Sequence, residues 1–359
     1  MLAPPTATVF GLSATGLAIA RILGRRGIRV YGVDQRHWEI GRSSRYVEVK
    51  PTLRAALTES GEDSPVFVGG DPELRAYCEV KSADIGAKKS SELALALLDK
   101  GSQFRRCEPH VDDLGMAMPR TWSPVVWQDW ADIPSSLSLV LKPRFGGASR
   151  LRPRFGKLWQ CSPGQSPMHY AKELGLDADA VLVQEVIPGP DTSIDVCFLY
   201  RYPTGEFGSI MTGQKLRQQP RGFGSASRLI TTDDPELATM AKALITRLGV
   251  TGLVSLEWKR HAAQRFLMEI NPRAVLFSAI APEVILDAYA GAARLPVRSP
   301  THVPGGRRWQ YSIREPFSAL AAGTVDALAT PDDPWPGRLA WPYTLALMLA
   351  TRVRGRHIP

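Results

Sequence analysis

Cysteine is scarce in this chain, and what little there is lies far apart. Cys78, Cys107, Cys161 and Cys197 are the only four in 359 residues, and none pair at C-x-x-C spacing. That excludes a zinc ribbon and a disulfide-stapled scaffold, and leaves small buried thiols in a reducing compartment. Histidine is equally thin: His37, His110, His169, His261, His302 and His357 show no metal-binding spacing. Long apolar runs are missing too. The best, Leu345 to Ala350, is far short of the ~20 residues a membrane span needs. The start, MLAPPTATVFGLSATG, has no basic stretch followed by a long apolar one, so the cytoplasm is the expected location. Acidic residues are outnumbered, 35 against 44 Lys and Arg, for a net charge of +9. Such a balance suits anionic partners. No zinc-finger, RRM or KH pattern accompanies it, so nucleic acid is not expected. The basic end, with Arg352, Arg354, Arg356 and His357, offers at most accessory attraction to an anionic membrane, about 1 kcal/mol per charge.

What is present is ordinary globular material. Hydrophobic residues are 44% and charged residues 22%, and the length suits two or three domains. No internal repeat or low-complexity tract interrupts it. Residues 1–85 alternate strand and helix patterns: Ala7–Gly11, then Leu17–Leu23 with helical periodicity, then Ile28–Val33 closed by Asp34, then Val66–Val68. That alternation predicts a parallel α/β domain. GLSATG at 11–16 falls between strand and helix but lacks the G-x-G-x-x-G order, so it is a weak dinucleotide signal. Ser13 and Thr15 would still face a ligand through the helix N-terminus, in a substrate role.

Residues 88–100 have a helical pattern, and Leu137–Pro143 and Ala180–Val186 read as strands. The Gly-rich FGGASRLRPRFG follows the first of these strands. Ser193–Leu199 alternates with period two, and Pro235–Leu248 is a helix behind an Asp-Asp cap. Gly252–Lys259 and Arg265–Ile270 form a hairpin around His-Ala-Ala-Gln. The boundaries expected are 1–85, 86–185 for a linker and small subdomain, 186–295 for the subdomain carrying the chemistry, and 296–359 for a loop-rich extension.

The hairpin holds the chemistry. Glu257 and Glu269 near its strand ends can share one face, and Asn271 adds a third oxygen. Hard cations such as Mg²⁺ want such donors and share their shell with phosphates. Arg273, in the same turn, can grip phosphate oxygens bidentately. One such glutamate alone would be a solvated charge; the group together is not. Trp258, alternating with Glu257, should face the other way and pack.

MEINPR at 268–273 resembles the metal-binding strand end of the ATP-grasp superfamily. The likeness extends over roughly residues 88–280. It implies an α/β architecture in three parts: an N-terminal parallel-sheet domain, a small lid subdomain, and a C-terminal antiparallel sheet with the metal site. On it, Lys142 in LSLVLKPRFGGAS and Lys100 in LLDKGSQF would contact nucleotide phosphates. In LVQEVIPGPDTSIDV, Gln184, Glu185, Val186 and Ile187 would hold adenine, Glu185 at its amine, and Asp191 would hold the ribose. Glu257, Glu269 and Asn271 would hold Mg²⁺ or Mn²⁺, and Arg273 the transferred phosphoryl group. TGQKLRQQPRGFGSAS is similar to a segment of predicted carboxylate–amine ligases, a group that includes D-aspartate ligase, and adds Lys215 and Arg217. GRSSRYVEV is similar to a Ser-Arg-Tyr segment of the same group, where Arg45 would bind a substrate carboxylate or simply be a surface charge. The sequence departs from the family in RLRPR, where Gly and Ser are usual, and in the unmatched tail.

The resemblance implies a ligase that uses ATP to join a carboxylate to an amine, with amino acids the leading substrates and a homodimer the base-rate assembly. A non-catalytic ATP-binding regulator and a bicarbonate-activating carboxylase are the alternatives.

Overall fold

The computed structural model describes residues 5–61, 63–81, 88–146, 158–296, 302–315, 318, 321–342 and 344. The N-terminal unit is a parallel sheet in the order β3-β2-β1-β4. Its elements run β1 (Thr6–Phe10), α1 (Ala14–Gly24), β2 (Arg29–Val33), β3 (Val47–Lys50), α2 (Leu53–Ser60), β4 (Val66–Val68) and α3 (Asp71–Lys81). β3 was not foreseen; it begins inside the GRSSRYVEV segment. The glycines of GLSATG serve packing. A Cβ on Gly16 would stand 1.9 Å from the Gly11 carbonyl oxygen, and one on Gly69 2.2 Å from the same atom. Only bare backbone lets β1, α1 and the end of β4 approach this closely.

α4 (Lys88–Leu98) and α5 (Lys100–Cys107) follow. The sequence pattern runs the first helix on to Lys100, but Asp99 ends it and caps the Gly101 N–H of the next at 3.0 Å. Leu97 and Cys107 join one apolar cluster with Cys197, Leu199, Leu256 and Trp258 of the large sheet. Residues 88–118, the linker part of the expected 86–185 stretch, pack on the large sheet. The small sheet has the order β5-β8-β6-β7, built from β5 (Thr121–Trp122), β6 (Leu139–Pro143), β7 (Trp159–Cys161) and β8 (Val181–Glu185), with α6 (Pro167–Glu173) on its core. Residues 147–156, most of the Gly-rich FGGASRLRPRFG, lie outside the described residues, as does the 352–357 basic end.

The large sheet is built on β9 (Ile194–Arg201), β10 (Phe207–Gln219), β11 (Ser225–Thr232), β12 (Gly252–His261) and β13 (Gln264–Asn271). α7 (Pro235–Leu248) covers one face. It has an Asp234 cap on the Leu237 N–H, Pro235 in its first turn, buried Leu237, Ala241, Leu244 and Ile245, and a left-handed Gly249 stop. α8 (Pro282–Ala292) and α1 cover the other face, in one core with Val196, Phe198 and Met211.

The stretch after 296 is more than loop. β14 (Arg308–Gln310) pairs with β11 and β15 (Val325–Asp326) with β14, so the sheet reads β13-β12-β9-β10-β11-β14-β15. Residues 335–342 are helical. The tail anchors to the N-terminal unit through a buried ion pair, Arg21 to Asp333 at 2.8 Å. Ser44 Oγ, the Arg45 N–H and Tyr46 Oη reach Asp333 and Asp332 at 2.7, 2.9 and 2.8 Å. Aspartate side chains can order a loop this way because each oxygen accepts more than one donor.

Candidate active site

The hairpin of β12 and β13 places Glu257 directly opposite Glu269, and Ser255 opposite Asn271. Residues paired across a ladder share a face, with Cβ atoms about 5 Å apart, and like charges there repel. Two lysines compensate. Lys100 Nζ, on the first residue of α5, donates to Glu269 Oε1 at 2.9 Å. Lys215 Nζ, buried on β10, donates to Glu257 Oε2 at 2.6 Å. Burial alone would lower the Lys100 ammonium; Glu269 and Asp71 outweigh it and the net shift is upward.

A third lysine completes the cluster from the small sheet. Lys142 Nζ on β6 donates to Gln184 Oε1 on β8 at 2.5 Å, and Gln184 Nε2 donates to Thr121 Oγ1 at 3.0 Å. Burial pushes Lys142 down to about 8, with Lys100 and Lys215 repelling it and Glu269 and Glu257 supporting it too weakly to prevent the shift. Three ammonium groups and two carboxylates thus meet where the sheets face each other.

Arg273 lies past the end of β13. It donates to Asp71 at the start of α3 and to the Ala274 carbonyl at 2.9 Å, with Asn271 Oδ1 at 3.5 Å. Burial would raise the Asp71 carboxyl, but Arg273 and then Lys100 outweigh it and hold it below its usual range. Asp71 was not singled out from sequence, because an Asp-Pro after two glycines reads as a helix start. Arg144 was likewise missed. It bonds Asp99 through two nitrogens, at 2.8 and 2.9 Å, and gives its carbonyl to the Lys100 N–H, tying β6 to the helix that carries Lys100.

Residues 177–275 match the family model described as "ATP-grasp in the biosynthetic pathway with Ter operon". The structure is similar to N5-carboxyaminoimidazole ribonucleotide synthetase from Thermus thermophilus, with 14% identity, TM-score 0.61, 84% of this chain and 81% of that one. It is similar to N5-carboxyaminoimidazole synthase from Aspergillus clavatus in complex with ADP and 5-aminoimidazole ribonucleotide, with 12% identity, TM-score 0.61, 84% and 80%. It is similar to L-amino acid ligase from Bacillus licheniformis, with 12% identity, TM-score 0.55, 80% and 74%. The chain has the ATP-grasp fold. No curated protein sequence matches it.

Within the ATP-grasp frame, the remaining sequence-selected residues divide. Gln184 joins the lysine cluster, as above. Glu185 ends β8 in an ion pair with Arg120 at 2.9 Å, and the Val186 N–H is spent on the Ser138 carbonyl at 2.9 Å. Ile187 is buried beside them. The Asp191 carboxylate accepts the Gln218 and Gly222 N–H groups at 2.8 and 2.9 Å, so it shapes the 218–222 turn. Arg217 Nη1 meets Glu315 Oε2 of the tail at 2.6 Å. Ser13 heads α1 and gives its hydroxyl to the Gly69 carbonyl at 3.3 Å, while Thr15 is buried. Arg45 is not brought to the cluster; its segment is the socket for Asp332 and Asp333. Asp34 accepts the Leu12 N–H at 2.6 Å and pairs with Arg36. Trp258 packs into the α7 core as its alternation requires.

The donors at Glu257, Glu269 and Asn271 are all hard oxygens on one face of one hairpin, which suits Mg²⁺. Among the described residues no group of three or more His, Cys, Asp or Glu is placed to hold a metal ion. No helix among them is long and apolar enough to cross a membrane.

Proposed function

We propose that this protein is an ATP-dependent carboxylate–amine ligase acting on amino acids through an acyl-phosphate. What carries the reading is the cross-strand pair Glu257 and Glu269, each held by its own lysine. Two half-buried carboxylates set opposite each other on one sheet face repel unless cations keep them there.

Lys100, Lys142 and Lys215 would neutralise nucleotide phosphates, since phosphoryl transfer depends mostly on positioning and charge. Adenine would lie along the end of β8, at Glu185 and the Ile187 backbone. Asp191, committed to the 218–222 turn, would support the nucleotide cleft rather than grip the ribose. Mg²⁺ or Mn²⁺, held by Glu257, Glu269 and Asn271, would add positive charge at the phosphates. A substrate carboxylate oxygen attacks the γ-phosphorus and ADP leaves. The amine then attacks the acyl carbon, phosphate leaves, and a proton passes to solvent. Arg273, oriented by Asp71, would hold the phosphoryl oxygens through both steps.

The test is ADP release from Mg-ATP with amino acids singly and in pairs, beside Glu269→Ala. A pair that raises ADP release, lost in the variant, supports the ligase and names its substrates. Release dependent on bicarbonate instead would make the protein a carboxylase-type enzyme. Tight ATP binding with neither response would sink the catalytic reading and leave an ATP-binding regulator.

A further inference from the structure

The turn after β14 carries a cation that the chemistry above leaves unused. The Arg314 guanidinium lies over the Tyr311 ring, 5.2 Å from its centroid, and is half-buried. Among the described residues no carboxylate meets it. The adjacent Glu315 is spent on Arg217 Nη1 and Ser227 Oγ, both at 2.6 Å, and on Ser318 Oγ at 3.2 Å. Of the acidic side chains, only Glu62 and Asp84 fall outside the described residues, and the neighbouring positions 316, 317, 319 and 320 are Pro, Phe, Ala and Leu.

Burial lowers the Arg314 pKa, with Tyr311 opposing it. The Glu315–Arg217 bond sets this turn against β10, and Tyr311 packs on the same core as Ile40 of the N-terminal unit. Glu39 belongs to the N-terminal unit, beside Arg36 and Glu73 at the ends of its strands. Arg314 is thus placed where those strand ends face β10 and the tail, one residue from the acid that holds Arg217. A guanidinium taken partly out of water without a partner costs stability. Its five donors in a planar fork match a carboxylate or a phosphate.

We propose that Arg314 is a specificity residue that binds an anionic substituent, carboxylate or phosphate, of the small-molecule substrate. The proposal deepens the ligase reading and rests on it for the identity of the reaction. It makes a claim about stability that a structural arginine would contradict. Arg314→Met keeps the length and removes a charge that no described carboxylate meets.

The experiment is thermal unfolding of the wild-type chain and R314M, each with inorganic phosphate, with succinate, and with neither. Without an anion, R314M should melt at the same temperature as wild type or higher. With one of the two anions, wild type should gain protection that R314M lacks. Which anion protects distinguishes the two chemistries. Phosphate held at the lysine cluster is common to both proteins and cancels. In the ADP-release assay, R314M should raise KM for one substrate about 10- to 100-fold, with KM for ATP unchanged and partial recovery in R314K. Equal protection of both proteins, or no protection of wild type by either anion, overturns the proposal. So does a lower melting point in R314M with KM unchanged. Failure of the ligase reading has a different signature: no pair raises ADP release, yet the anion protection that depends on Arg314 persists.

Discussion

Lys142 should make nucleotide affinity depend on pH in a defined window. Its ammonium is buried beside Lys100 and Lys215, and its pKa falls to about 8. A lysine depressed in this way binds fewer protons than its unfolded counterpart above that value. The buried charge therefore costs stability at neutral pH, and the cost fades as pH rises through 8 toward the ordinary lysine range. Triphosphate supplies the missing partner and should return the group toward its ordinary value. Below pH 8 the lysine is already charged and affinity is at its plateau. Above it, binding must first add a proton, so affinity should fall about tenfold per pH unit, or about 1.4 kcal/mol. Between pH 7 and pH 9 the Kd of a non-hydrolysable Mg-ATP analogue should rise about tenfold. Calorimetry in buffers of different ionisation enthalpy should detect uptake of about half a proton at pH 8. Lys142→Arg should lose the uptake, because guanidinium stays charged. Flat affinity from pH 7 to 9 with no proton uptake would refute the argument that this lysine is starved of a counter-charge.

Four other outcomes follow from the geometry. Glu269→Ala should leave the fold intact and reduce ADP release by at least about a thousandfold, since it removes an oxygen donor and the partner of Lys100. Asp71→Asn should lower kcat about 10- to 100-fold by releasing Arg273, with KM for ATP little changed. Asp333→Ala should cost about 3–5 kcal/mol, because it strands the buried Arg21, whereas Asp332→Ala, among exposed partners, should cost under about 1 kcal/mol; denaturant midpoints compare them. The β12–β13 turn uses Ala262 and Ala263 at φ 48° and 55°, a left-handed pair that favours Asn-Gly. Replacing them with Asn and Gly should stabilise the chain by about 1–2 kcal/mol, read as a higher midpoint at unchanged slope.

Sequence periodicity alone determined the elements whose signals are local. α7 carries its cap, its apolar stripe and its glycine stop within its own residues, and runs from Pro235 to Leu248 as its pattern requires. The hairpin is legible for the same reason: strand alternation plus a two-residue turn puts Glu257, Glu269 and Asn271 on one face without help from the rest of the chain. The lysines could be named by motif, but only the tertiary structure decided their partners. Lys100 reaches Glu269 across 169 positions and Lys142 reaches Gln184 across 42, distances over which no periodic signal survives. The same holds for Asp71, a helix-start aspartate until the fold sets it against Arg273, and for Arg45, whose segment is a socket for residues nearly 290 positions away. The tail's strands were hidden because β14 and β15 are three and two residues long, too short to show alternation, and form by pairing, β14 with β11 and β15 with β14. Local patterning is written in neighbouring residues; charge pairing is settled where distant segments leave water together, and only the folded chain brings them there.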